Sequence, residues 1–252
     1  MSAYSVTELR DAWRAVEAGQ YAPGARRRTL AAASNSNQWM PSQGERVVAV
    51  VGCAGGVGAS TVAVALATAA GVPARVVECC PPLGSGFSAA ANAELGVEGG
   101  WRRGSRGAVL LERRTGPGRV VPVPASSSVE LTILDADWTA LVTPGVPWLS
   151  PLLRTQDQVV LVTNATVPGL RRLESCADLF EGDVLGVVVG PSAKRWASPV
   201  KVAAAGLPPG VRLVDFPLDR RLQVTGLTPA ALPAPLLNAA QHVLAMVRKE
   251  PT

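Results

Sequence analysis

The amino-acid sequence predicts a three-layer α/β protein built on a doubly wound, mainly parallel sheet. Short Val-rich segments alternate with helical patterns along most of the chain, and a glycine-rich turn follows the first of them. Apolar residues make up 48% of the sequence and aromatic residues only 4%, so Val, Leu and Ala must form the core. Such strands are typical of parallel sheets that helices cover on both faces. For 252 residues we expect one main domain with an N-terminal extension.

The N-terminal extension, residues 1–44, is predicted to hold one helix and a flexible basic linker. Ser5 and Glu8 have the spacing of a capping box, which predicts a helix from about Val6 to Ala18. Its apolar face either packs on the main domain or docks a partner. Residues Gln20–Gly44 combine an arginine triplet with small and polar residues, which is typical of a linker.

The main domain, residues 45–250, alternates predicted strands and helices. The predicted strands are Val47–Val51, Arg75–Cys79, Val120–Val123, Leu131–Leu134, Gln158–Thr163, Val184–Val189 and Val211–Asp215. Predicted helices follow the glycine-rich turn and cover about Trp148–Arg154, Gly169–Phe180 and Pro233–Lys249. Right-handed crossovers between such strands give a doubly wound sheet. The apolar face of the last helix is predicted to pack on this sheet, with membrane binding as the alternative.

The segment Gly84–Gly118 does not fit this alternation. It is rich in Gly and Arg and has little periodicity, so we expect a surface excursion with at most one short helix. If its arginines between Arg102 and Arg119 are exposed, they offer a weak, non-specific contact for DNA. A steep loss of binding with salt would be the signature of that contact.

The overall charge and the cysteines give weaker indications. The net charge of +5 agrees with a composition biased toward Arg or with a weakly basic surface. The cysteines fit no zinc spacing, and His242 is the only histidine, so small buried thiols are favoured over a redox or metal role for Cys79 and Cys80 beside Cys53. No signal-peptide pattern opens the chain, and a cytoplasmic protein with reduced thiols is the simplest expectation.

One uncharged stretch, Val47–Ala74, is long enough to suggest a membrane span. Its glycines and hydroxyl residues interrupt it, and the apolar residues before them suit a strand better, so no transmembrane segment is expected.

Residues Arg46–Ala70 read as a buried strand, a glycine-rich turn and the start of a helix. This arrangement cradles phosphate, because backbone N–H groups and the helix dipole converge on one point. Ala59, however, stands where such a loop normally carries a lysine. Because the corner between strand and helix is expected to be close, a bulkier residue at Gly58 should disturb folding more than activity.

From about Arg46 to Arg248 the chain resembles the MinD/ParA-type P-loop ATPases, which include partition, septum-positioning and pilus-localising members. Their phosphate-binding loop reads Gly, a signature Lys, Gly, Gly, any residue, Gly, Lys, and Ser or Thr. Residues Cys53–Ser60 keep the three later glycines and the hydroxyl. Ala54 and Ala59 replace the two lysines.

Later blocks of the chain follow the same resemblance with further departures. Cys80 replaces the aspartate that orients the attacking water in the family, and Gly190 replaces an asparagine that contacts adenine. Asp135 matches the Walker B-like aspartate, and Pro217 and Asp219 match a Pro-x-Asp segment. The candidate nucleotide-binding residues are Gly55, Gly56, Val57, Gly58, Ala59, Ser60, Thr61, Asp135 and Pro217.

The lost lysines and the lost aspartate argue against ATP hydrolysis, because phosphoryl transfer depends on positioning and charge stabilisation. The resemblance therefore implies a non-catalytic adaptor for DNA partition, DNA transfer or the positioning of a cellular machine, with a protein partner such as an active ATPase of the same fold. The alternative is a switch that binds ATP or ADP with Mg²⁺, through Ser60 and Asp135, and forms a homodimer. The glycine turn can also persist only because the corner of the fold needs it.

Overall fold

A nine-stranded sheet organises the part of the chain that the structure describes. The structure is a computed structural model that describes residues 39–80, 86–116, 121–142, 148–155, 159–180 and 182–247. These residues all belong to one compact unit, Gln38–Thr252. The predicted N-terminal helix and most of the predicted linker lie outside the described residues.

The strands occur in the order β3-β4-β5-β2-β6-β1-β7-β8-β9. Their bounds are β1 Arg46–Gly52, β2 Ala74–Glu78, β3 Ala93–Glu98, β4 Trp101–Arg106, β5 Val109–Arg114, β6 Leu131–Asp137, β7 Val159–Asn164, β8 Val184–Gly190 and β9 Val211–Pro217. The strands from β5 to β9 in this order pair in parallel, whereas β3, β4 and β5 pair antiparallel. The doubly wound, mainly parallel sheet is confirmed.

Helices cover both faces of the sheet. Their bounds are α1 Ala59–Ala69, α2 Thr139–Val142, α3 Leu149–Thr155, α4 Val167–Ala177, α5 Ser198–Ala205, α6 Arg220–Thr225 and α7 Ala234–Val247, with a 3₁₀ turn at Ala193–Arg195. Within the described residues, no helix has both the length and the apolar character that crossing a bilayer requires.

Two hydrophobic clusters, one on each face of the sheet, fill the space between the sheet and the helices that cover it. In β1, Val48 and Val50 pack with α1 and α7 on one face, while Ala49 and Val51 pack with α2 to α5 on the other. This alternation follows from the period of two in a strand. The buried face of α7, which includes Leu244, packs in the first cluster as predicted.

The prediction of a surface excursion with at most one short helix for Gly84–Gly118 is wrong, because the described part of this segment forms the strands β3, β4 and β5. Trp101 and Leu111 are buried, so these strands extend the core. Gly99 and Gly100, with φ of 57° and 87°, form the two-residue turn between β3 and β4. Such turns need positive φ at both positions, which glycine adopts at little cost.

The strand predicted at Val120–Val123 is also wrong for the residues that are described, since 121–123 form irregular backbone. The indole Nε1 of Trp148 donates to the carbonyl oxygen of Val121 at 2.9 Å, and that of Trp101 donates to the carbonyl oxygen of Val123 at 3.3 Å. Pro122 has no N–H to donate. Tryptophan side chains therefore take carbonyls that a strand ladder would use.

The described end of the predicted linker packs against the sheet. Trp39 is buried, and its ring lies edge-on to that of Trp148 with centroids 5.7 Å apart. The guanidinium carbon of Arg75 lies 5.4 Å from the centroid of the Trp39 ring. Residues from Trp39 onward thus contribute to the same core as the main domain, while the boundary predicted at residue 44 stays a prediction.

Candidate functional site

The loop between β1 and α1 keeps the geometry of a phosphate-binding turn. β1 ends at Gly52 and α1 begins at Ala59, and two loop residues have positive φ: Gly56 at 72° and Gly58 at 91°. Gly58 is the residue before the first helical turn, and its carbonyl oxygen accepts the N–H of Val62 at 3.0 Å. The N–H groups of Ala59, Ser60 and Thr61 precede the first bonded N–H of the helix, and these residues line the cavity at the end of the sheet.

A cavity of about 610 Å³ opens at this end of the sheet. Parallel pairing brings the carboxyl ends of β1 and β6 together, with Val50 opposite Asp135 and Gly52 opposite Asp137. The lining includes every candidate residue from the sequence: Gly55, Gly56, Val57, Gly58, Ala59, Ser60, Thr61, Asp135 and Pro217. The structure thus brings these residues together, and their binding of a nucleotide stays a prediction.

Ser60 and Asp135 form a direct pair at the base of the cavity. The Ser60 hydroxyl donates to Asp135 Oδ2 at 2.7 Å, and the Cys80 thiol donates to the same oxygen at 3.8 Å. Burial and the carboxylate of Asp135 raise the pKa of the Cys80 thiol, so this side chain is neutral near pH 7. A neutral thiol cannot replace the carboxylate that the MinD/ParA-type motif carries there.

Two buried carboxyl groups lie side by side beneath the loop, since Glu78 of β2 pairs with Asp135 of β6. Burial raises the pKa of Asp135 to about 7, and the charge of Glu78 adds to the effect. Burial also raises the pKa of Glu78 to about 7, although its Oε2 accepts the N–H of Arg114 at 2.8 Å. Among the described residues, Glu78 Oε1 has no hydrogen-bond partner. Both groups favour the protonated state more than exposed carboxyls do.

The charged side chains that line the described cavity are all acidic. They are Asp135, Asp137 and Asp219, and no Lys, Arg or His from the described residues joins them. Two of these carboxylates bind backbone: Asp137 accepts the N–H of Thr139 at 3.0 Å, and Asp219 accepts that of Leu222 at 2.8 Å. The loop can offer backbone N–H groups to a phosphate, but the surrounding field opposes a polyanion.

Sterics explain why position 190 holds a glycine and not the adenine-contacting asparagine of the family. A Cβ atom at this position would lie 2.8 Å from the Cβ of Ala165, which is too close for an unshifted backbone. An asparagine there would require the turn after β7 to move. The close contact between the end of β8 and the turn after β7 therefore accounts for a glycine, and not an asparagine, at position 190.

Several lining residues were missed by the sequence analysis. Trp138 follows β6, Asn164 ends β7 and Phe216 lies in β9, and all three line the cavity. Gly86 lies against the loop, because a Cβ atom on it would be 2.8 Å from the Cβ of Ser60. The usable signal was their position at the carboxyl ends of parallel strands, where ligand sites of such sheets occur.

The arginines of the expected DNA-binding excursion are largely engaged within the protein. Arg103 donates to Glu112 at 3.1 Å and also bonds Glu98, and Arg113 donates to Glu94 at 2.6 Å. The remaining members differ: Arg106 and Arg114 are buried, Arg102 is exposed, and Arg119 lies outside the described residues. The described part of β3 to β5 therefore does not form the basic surface that the sequence suggested.

The described thiols agree with the expectation of small buried cysteines, and Cys53 has a further neighbour in Cys176. All are free and buried, and the thiol of Cys53 interacts with that of Cys176, which together with burial raises the pKa of Cys53. Within the described ranges, no group of three or more His, Cys, Asp or Glu side chains could hold a metal ion.

Comparison with known proteins identifies the fold. No protein-family model matches the sequence, and no curated protein matches it either. The structure resembles apo McdA of Cyanothece with a TM-score of 0.51 and 14% identity, over 80% of this chain and 99% of McdA. It also resembles the cell division ATPase MinD of Pyrococcus furiosus (TM-score 0.47, 14% identity, 80% and 99% of the two chains) and a plasmid partition protein of Borrelia burgdorferi (0.46, 11%, 81% and 99%).

The fold is thus the MinD/ParA-type P-loop fold, as the loop and the strand order indicate. At 14% identity the likeness to McdA establishes the fold and leaves the chemistry to be argued from this chain's own residues.

Proposed function

We propose that this protein is a non-catalytic adaptor with a MinD/ParA-like fold that binds a partner protein in DNA partition, DNA transfer or the positioning of a cellular machine. The observation that carries the proposal is the cavity: it keeps the phosphate-binding turn, yet its described charged side chains are the carboxylates of Asp137 and Asp219, together with Asp135, whose pKa of about 7 leaves it partly ionised. A cytoplasmic location belongs to the same proposal.

The chemistry at the loop supports the non-catalytic part. Phosphoryl transfer needs cations on the terminal phosphates and a group that orients water. Ala54 and Ala59 carry no charge, and the buried thiol of Cys80 is neutral near pH 7. Removing one such electrostatic contact costs a factor of about 10² to 10³ in rate, and here several are replaced in one site.

The mouth of the cavity supports the partner-binding part. The side chains of Trp138 and Leu218 line the cavity and are 44% and 48% exposed. Tryptophan is enriched among the residues that anchor protein interfaces, and an exposed apolar neighbour such as Leu218 adds contact area to it. A partner of the same fold, with an intact set of lysines, would fit this role.

The experiment that tests the proposal is a calorimetric titration of the full chain with ATP and with ADP, each with Mg²⁺, followed by an assay of phosphate release. We expect no binding heat at millimolar nucleotide and no phosphate release above buffer. Saturable binding accompanied by phosphate release would overturn the non-catalytic proposal.

A second function, an ATP-binding switch that dimerises, is favoured by one observation. Ser60 and Asp135 remain paired at 2.7 Å beside an intact glycine turn, and they would hold Mg²⁺ if nucleotide bound. Mg²⁺ would supply positive charge for the phosphates there, while the backbone N–H groups of the loop would bind them. Sedimentation with and without ATP separates the two functions, because only the switch would dimerise with nucleotide.

A further inference from the structure

We propose that the rim of the cavity at the ends of β8 and β9 binds an acidic segment of a partner protein that also carries apolar side chains. This inference rests on the proposed adaptor function and names the chemistry of its partner. It concerns a surface that the phosphate-binding loop does not include.

Two neighbouring strands place the parts of this rim together. Gly190 at the end of β8 pairs with Pro217 at the end of β9. The 3₁₀ turn Ala193–Arg195 follows β8 and α6 follows β9, and the N–H of Ala193 donates to Asp215 of β9 at 2.8 Å. Both connections therefore emerge on the same edge of the sheet, at the mouth of the cavity.

The rim is basic and its basic side chains are available. Lys194, Arg195, Arg220 and Arg221 are exposed, and none forms an ion pair with another described residue. Two carboxylates lie near them in the chain, Asp215, which accepts the N–H of Ala193, and Asp219, which caps α6, so the four cations outnumber these two carboxylates. The positive charge of the rim is thus directed toward solvent, where it attracts an acidic partner.

Apolar side chains accompany this charge. Val224 is 86% exposed and Leu218 is 48% exposed. Val224 lies four residues after Arg220 and three after Arg221 in α6, so the three side chains share one helix face. Protein interfaces combine arginine with apolar anchors, whereas phosphates of nucleic acid give Val224 and Leu218 nothing to pack against. The combination favours a protein segment over DNA.

The test measures fluorescence anisotropy of a labelled peptide rich in glutamate and leucine, with the full chain and without nucleotide. A peptide with glutamine in place of glutamate and a short DNA duplex serve as competing probes. We expect saturable binding of the acidic peptide, and about tenfold weaker binding by the double variant Arg220→Glu/Arg221→Glu. Val224→Ser should weaken binding about threefold, in the range of a lost exposed apolar contact.

The chain offers a matched control in Arg171 and Arg172, an adjacent exposed pair on α4. Arg171→Glu/Arg172→Glu makes the same change of charge and should leave peptide binding unchanged. The acidic replacements in α6 lie in its first turn, where the helix dipole favours negative charge. If that variant nevertheless fails to fold, Arg220→Gln/Arg221→Gln replaces it.

The inference is overturned by three results: no peptide binding, equal weakening by the two double variants, or tighter binding of duplex DNA than of the acidic peptide. These results leave the nucleotide titration unaffected. ATP hydrolysis, in turn, would overturn the adaptor function while peptide binding at the rim would still be observed.

Discussion

The cavity beside the glycine loop and the antiparallel strands β3 to β5 use charge in opposite ways. In the cavity, the backbone geometry of a phosphate site is present but the described charged side chains are acidic. In β3 to β5, arginines are frequent and their guanidinium groups bind the protein itself. Arg106, for example, donates to the carbonyl oxygens of Ala90 at 2.9 Å, Thr228 and Ala230.

This difference shows that an arginine-rich segment is not evidence for a binding surface. A buried cation needs partners for its N–H groups, and Arg103, Arg106 and Arg113 donate to carboxylates or carbonyls, although Nε of Arg113 has no hydrogen-bond partner among the described residues and Arg102 is exposed. The same rule governs Arg75 in β2, which bonds Glu45, Thr132 and the carbonyl oxygen of Ala125 at 2.9, 2.7 and 2.7 Å. In this protein, the described buried arginines bind groups of the core, and no described Lys, Arg or His lines the cavity.

The largest expected effect follows from breaking this internal network. Replacement of Arg75 by Met removes the cation between Glu45 and Glu112, whose oxygens lie 2.9 and 3.4 Å from its guanidinium nitrogens. Two buried carboxylates then lose this cation, of which Glu112 keeps Arg103 and Glu45 keeps only neutral donors, and the free energy of unfolding should decrease by about 3–5 kcal/mol. Urea denaturation measures the change.

Arg102→Met is the control for this substitution, because Arg102 lies on β4 but is exposed. Its effect should stay within about 0.5 kcal/mol. Equal destabilisation by the two variants would contradict the contrast between buried and exposed arginines.

The next effect is the pH dependence of stability that the buried carboxyl groups beneath the glycine loop produce. The pKa values of Glu78 and Asp135 are raised to about 7 in the folded protein, against ordinary values near 4 in the unfolded chain. The folded state therefore binds more protons between these values, so this stabilisation is complete below about pH 4 and is lost as pH rises through 7. Thermal unfolding should show the free energy of unfolding decreasing by about 3 kcal/mol between pH 5 and 8.

Glu78→Gln tests the assignment of this pH dependence. The variant cannot ionise at position 78, so its stability should change less across the same pH range. A wild-type slope of opposite sign, or an unchanged slope in Glu78→Gln, would show that these carboxyls do not carry the effect.

The sequence predicted the parallel sheet well, apart from β5, because most of its strands are self-contained apolar segments. β1, β6 and β8 combine Val, Leu or Ile with a glycine or aspartate at the end, and these patterns need no tertiary information. β4, with Arg102, Arg103 and Arg106, contradicts the expected composition of a strand. Its strand state depends on partners such as Glu112 and Ala90, which are distant in the chain and cannot be seen locally.

The candidate site was predictable to the same extent and for the same reason. The loop Gly55–Thr61 and Asp135 are marked by spacing and by their place after apolar strands. Trp138, Phe216 and Leu218 also lie at the ends of strands but belong to no spaced motif, and only the strand order shows that they join the cavity. The raised pKa values of the carboxyls also depend on burial that only the fold supplies.

A smaller effect on stability shows whether Gly58 is required for its backbone φ or for lack of room for a side chain. The sequence analysis expected a crowded corner at Gly58, but a Cβ atom there would meet Val189 at an ordinary 3.7 Å. The cost comes instead from its φ of 91°, which L-residues rarely adopt. Gly58→Ala should decrease the free energy of unfolding by about 1–2 kcal/mol, whereas Gly55→Ala, without positive φ or neighbours within 4 Å, should have little effect. Thermal unfolding of the two variants checks this, and equal stabilities would disprove the role of φ.

The smallest effect comes from returning a cation to the cavity. Ala59→Lys places an ammonium group at the first residue of α1, beside a lining that contains Asp135 and Asp137. If the missing charge is what opposes polyphosphate, the affinity for ATP should increase about tenfold, which should give a binding heat at millimolar nucleotide where none is expected for the wild type. Ala59→Met has a similar length without charge and should not change the affinity. Calorimetry compares both variants with the wild type. An equal gain for Met would assign the effect to packing, and no gain for Lys would mean that the backbone turn itself has lost its phosphate site.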